Sequence, residues 1–93
     1  MTTDEIMNDL HVDESERDSI ERARKSSVDY VRGSVDYEVD ESEFEKYPIY
    51  DSLILALVTQ IYFGKELETG LSRGALMLLI QLRARVLGGE ANG

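Results

Sequence analysis

Cysteine is absent from this 93-residue chain, and proline and histidine occur once each. Without cysteine there is no disulfide framework and no thiolate metal site. Positive charge is also scarce: ten Lys and Arg stand against nineteen Asp and Glu, a formal net charge of −9. Affinity for DNA comes largely from Lys and Arg neutralising phosphates, so tight phosphate-backbone binding is not expected. An acidic protein is instead suited to working close to DNA without adhering to it. No apolar run reaches the ~20 residues needed to cross a bilayer. The opening MTTDEIMNDL lacks the basic start and apolar middle of a secretory signal. A soluble chain with no membrane partner is therefore expected. There is no Gly-rich phosphate loop, no set of paired metal ligands and no nucleophile with a base beside it, so neither an enzyme nor a cofactor is expected.

A chain this short is read as a single domain, residues 1–93. The charge is unevenly placed: residues 1–48 carry 15 acids and 6 bases, and residues 49–93 carry 4 of each. Against that acidic first half stands LILALVTQIYF at 53–63, interrupted only by Thr59 and Gln60. A domain this size buries only roughly 60–65% of the surface its unfolded chain exposes. The question is what covers so apolar a segment.

Helical signals dominate. Thr2 with Glu5 fits a capping box and predicts a short helix over about 3–10, with Ile6, Met7 and Leu10 on its apolar side. Asp13 with Glu16 repeats the signature before a longer helix, about 14–32, in which Ile20, Ala23, Ser27, Val28 and Val31 keep helical spacing. Gly33 is the predicted stop. SVDYEVDESEFEKY at 34–47 alternates Val35, Tyr37 and Val39 with acids, yet has no second strand to pair with. It is read as an extended, mobile acidic linker with a helical turn after Asp40. Pro48 suits the first position of a third helix, about 48–63, ending at Gly64. Ser72 is a candidate cap for a last helix, about 73–87, with Leu78, Leu79, Leu82 and Val86 on one face and Ile80 and Leu87 on another. Residues 88–93 are read as a flexible tail. The expected fold is all-α, a small bundle of about four helices.

Three stretches invite a chemical reading. Asp51-Ser52-Leu53 at a helix start is similar to the serine attachment site of acyl carrier proteins, which would make Ser52 the acceptor of phosphopantetheine. However, Tyr50 precedes it where carriers have glycine, and 53–63 lacks the acids of a carrier's serine-bearing helix. The plainer reading puts Asp51 at the helix dipole and Ser52 on a narrow polar stripe shared with Thr59. Asp36, Glu38 and Asp40 fall at the first, third and fifth positions of a calcium loop. The sixth position is Glu41 instead of Gly and the twelfth is Tyr47 instead of Glu, so a solvated acidic linker is the expected role. His11 reads as a boundary residue in a loop. Arg22, Arg24 and Lys25 have Asp18, Glu21 and Asp29 at helical spacing to satisfy them.

Four motifs in order resemble a known family. These are LHVDESE at 10–16, SSVDYVRG at 26–33 with Ser27 where the family has Ala, YDSLILALVTQIYF at 50–63, and GALMLLIQLR at 74–83. The order and spacing are similar to the small head–tail connector, or adaptor, proteins of long-tailed bacteriophages, over about residues 3–85. The family's Pro-Phe-Gly before the last helix is replaced here by Leu71-Ser72-Arg73-Gly74. The resemblance implies an all-α virion subunit that extends the DNA channel and joins head to tail. It would sit in a closed ring of about twelve copies beneath the portal protein, above a tail or stopper protein, with DNA passing nearby unbound. Its place would be the head–tail junction of the virion, and the host cytoplasm during assembly. The alternative is a small acidic helical binding module, such as an antitoxin or regulator. In either case part of the apolar surface should meet another chain, and the candidate interface residues are Ile54, Val58 and Ile61, opposite Ser52 and Thr59, together with Ile80 and Leu87.

Overall fold

The computed structural model describes residues 1–64, 67 and 70–88, and the residues read as a flexible tail after Gly88 lie outside that set. The described residues form helices joined by short turns, with no strand among them. The molecule is elongated, about 45 × 25 × 20 Å. The longest helix is α2, Arg17–Val35, whose 19 residues extend roughly 28 Å at 1.5 Å rise each. The all-α expectation holds.

α1, Thr3–Leu10, starts as the sequence predicts. The Thr2 hydroxyl accepts from the Glu5 N–H at 3.2 Å, and the Thr2 N–H donates to Glu5 Oε1 at 2.8 Å. That reciprocal pair satisfies two of the donors a helix start leaves bare. It also holds the Glu5 carboxyl below its ordinary range, through the Thr2 backbone N–H first and the hydroxyl second. α1 ends at His11, whose φ of 55° places it in the left-handed region, with its N–H donating back to Asn8. Histidine is among the few non-glycine residues that tolerate this conformation, so the boundary residue is a helix terminator.

The second capping signature does not form. Asp13 caps only a 3-10 turn, Glu14–Glu16, and its carboxylate takes the Ser15 hydroxyl at 3.0 Å instead of a helix N–H. Arg17 ties this corner by reaching Asp4 and Glu14, each at 2.6 Å. α2 then runs past the predicted stop at Gly33 to Val35. The helix continues because the chain folds back on it. Arg32 donates to the carbonyls of Tyr37 at 2.7 Å and Val39 at 3.1 Å, and its guanidinium lies 5.5 Å from the Tyr37 ring centre. Gly33 supplies clearance, since a Cβ there would lie 3.0 Å from the Tyr37 ring. Ser27, where the connector motif has Ala, is fully buried, and its hydroxyl is satisfied by the Ala23 carbonyl at 2.8 Å.

The stretch 34–47 is thus compact, not extended. A turn closed by Asp36 leads to α3, Glu41–Phe44, the helical turn expected after Asp40. Phe44 is fully buried and stacks on Tyr50 with centroids 5.7 Å apart, so the stretch is anchored to the core. Burial, and then the Glu41 carboxylate that accepts a hydrogen bond from its hydroxyl at 2.9 Å, push the Tyr50 phenol far above the ordinary tyrosine range. Arg24 joins the same carboxylate at 2.9 Å, so one half-buried ion pair links α2, α3 and the start of α4.

α4, Pro48–Tyr62, begins with proline at its first turn and ends at Gly64, whose φ is 89°. It packs between α2 and α5, Arg73–Arg83. The Ser72 hydroxyl caps α5 by accepting from the Ala75 N–H at 3.2 Å, and a π-helical turn, Ala84–Gly88, follows. The core runs through all the long helices: Ile6 and Met7 of α1, Ile20 and Val31 of α2, Leu53, Leu57 and Val58 of α4, Leu79 and Leu82 of α5.

Candidate interaction surface

The apolar surface left uncovered lies on α5. Leu76, Met77 and Ile80 are exposed, Ile80 to 59% of its full area, and Leu87 continues the line into the π-helical turn. At roughly 100° per residue these side chains and Ala84 fall on one face of the helix. The opposite face, Ala75, Leu79 and Leu82, is buried against the core. α5 is therefore apolar on both sides and covered on one. Its charge is of one sign: residues 70–88 carry Arg73, Arg83 and Arg85 and no acid. All three arginines are exposed, and none is in an ion pair among the described residues.

The sequence placed the candidate interface on two helices, and the structure separates them. Ile80 and Leu87 lie on the open face. Ile54 and Val58 do not, being 1% and 0% exposed inside the chain's own core. The correction follows from α2, which runs longer than its predicted end and packs along the side of α4 assigned to a partner. Ile61 is half-buried at the rim of an open groove of about 580 Å³, which Glu16, just before α2, and Ser19 and Arg22 of α2 also line. Sequence reasoning missed Leu76 and Met77. Their signal was helical spacing to Ile80, four and three residues on.

The joint between α4 and α5 is held by one buried amide. Gln60 donates to the Gly70 carbonyl at 2.9 Å and accepts from the Ser72 N–H at 3.0 Å. A residue that read as an interruption of the apolar run instead sets where α5 begins, and so the direction in which its open face points.

The calcium-loop reading assembles no site among the described residues. Ser52 is exposed on the first turns of α4, and its neighbour Asp51 takes the Met1 amine at 2.9 Å. Asp36 and Asp40 spend their carboxylates on local turns, accepting from the Glu38 N–H and the Ser42 hydroxyl. Among the described residues no three His, Asp or Glu are grouped to hold a metal ion. No described helix is long and apolar enough to cross a membrane. No family model, curated protein or solved structure matches the chain.

Proposed function

We propose that this protein is a structural subunit of the head–tail connector of a long-tailed phage or prophage, contributing to a ring below the portal. The observation that carries the reading is the ordered run of four connector-like motifs from Leu10 to Arg83. The bare face of α5 supports it, because a helix apolar on two sides belongs to a protein that is covered in use. The acidic first half supports it as well, since a ring of acidic subunits repels the DNA passing through. The test is deletion of the gene from its parent phage. The expected result is DNA-filled heads that fail to join tails, with the protein found at the junction of wild-type particles by mass spectrometry and imaging. Tailed, infectious particles assembled without it would overturn the reading.

A further inference from the structure

The open face of α5 carries an arginine at each end, and that narrows what covers it. At roughly 100° per residue, Leu76, Met77 and Arg83 lie within about 60° of Ile80, and Arg73, two turns earlier, shares its bearing. Arg73 and Arg83 are both exposed and in no ion pair among the described residues. They stand roughly 15 Å apart along the helix axis at 1.5 Å per residue. No Asp or Glu on residues 70–88 answers them.

Three kinds of cover compete. A second α5 would set arginine against arginine whether it packed parallel or antiparallel, which like-charge repulsion disfavours. Elsewhere among the described residues the exposed large hydrophobics are Tyr37 and Phe63. Each is a single ring and not a stripe, and Tyr37 already has the Arg32 guanidinium over it. An anionic lipid surface draws on clusters of about four to eight bases. This face has two, on a chain of net charge −9. A helix of another protein, with the inverse charge pattern, satisfies both the apolar stripe and the two arginines.

We infer that the occupant of the α5 face is an acidic amphipathic helix of a different protein. Its leucine or isoleucine stripe lies along Leu76, Met77 and Ile80, with one carboxylate at Arg73 and another at Arg83. Apolar burial holds the helix in place, and the two ion pairs at the rim set its register. The inference rests on the connector reading only in holding that protein covers this face, and the two fail separately. Peptide binding tests this one, and the deletion phenotype tests the other.

The probe is a synthetic, alanine-rich amphipathic helix of about 18 residues, long enough to be partly helical alone. It carries a leucine stripe and two glutamates spaced to meet Arg73 and Arg83, and its twin has lysine at those two places. Binding to the full chain is read by fluorescence anisotropy. The glutamate peptide is expected to bind about tenfold more tightly than the twin, as two rim pairs allow. The net charge of the chain alone would favour the twin, so the preference isolates the face. Added salt should narrow the difference. Arg73→Glu with Arg83→Glu should reverse it. Ile80→Glu, at an exposed position, should leave circular dichroism unchanged and weaken both peptides about 100-fold, because a charge is buried unpaired. Failure of both peptides to bind, equal affinities, or a preference for the twin would overturn the inference. So would binding to phosphatidylglycerol vesicles that Ile80→Glu abolishes, or self-association of the wild type that the same variant abolishes.

Discussion

α4 and α5 are both rich in leucine and isoleucine, yet the structure treats them oppositely. α4 is apolar almost all round and is enclosed, with Tyr50, Leu53, Ile54, Leu57 and Val58 all buried. α5 is the more amphipathic helix and leaves Leu76, Met77 and Ile80 in the open. Hydrophobicity of a segment therefore did not mark which helix keeps an exposed apolar face. What decided it was position: α4 lies between two helices, α5 against one. The helix that looks as if it needs a partner has already found its partners within the chain.

That contrast is most directly broken by truncating each helix in turn. Leu57→Ala in α4 is expected to cost about 2–5 kcal/mol, as for a fully buried leucine. Ile80→Ala in α5 is expected to stay within about 0.5–1 kcal/mol, near the range of exposed positions. Urea denaturation of both variants would settle it, and similar midpoints would mean that α4 is not the core helix.

The α4–α5 joint comes next. Gln60→Ala leaves the Gly70 carbonyl and the Ser72 N–H without their partner, an expected cost of about 1–3 kcal/mol. Exchange of the Ser72 amide should rise with it, and an unchanged rate would show that the joint is held otherwise. The starts of the two helices differ as well. α4 begins on Pro48 with no side-chain cap, whereas α5 relies on the Ser72 hydroxyl. Ser72→Ala should therefore lower stability by about 1 kcal/mol, measured by thermal melting, and Ser72→Asp should restore most of it.

The gentlest test is acid. Glu5 has its folded-state titration depressed by the Thr2 hydrogen bonds. Its contribution to the α1 cap is present above the ordinary glutamate range and is lost as pH falls through the lower, folded value. The joint at Gln60 is uncharged and has no such loss. In an NMR titration the Thr2 and Glu5 amides should shift in acid while the Ser72 amide holds. Movement of Ser72 with the others would show that the joint depends on the cap.

The local signals were the readable ones. Thr2 with Glu5, Pro48, Gly64 and Ser72 each act within a few residues of themselves, and each marks a helix end as read. The two faces of α5 were legible for the same reason, since helical spacing puts Leu79 and Leu82 on one side and Ile80 on the other. Asp13 with Glu16 misled because Ser15 competes for the Asp13 carboxylate. Gly33 misled because its helix ends where Arg32 clasps the returning chain at Tyr37 and Val39.

Composition and periodicity, which need no contact between distant residues, sufficed for an all-α chain with an acidic first half and an apolar helix starting at Pro48. Which apolar face stays bare was settled by packing. It depended on the reach of α2 along α4, on Phe44 drawing the acidic turn into the core, and on Gln60 fixing the start of α5. Each of these joins separate helices or turns, and burial is a property of what lies opposite a side chain, which no local pattern records.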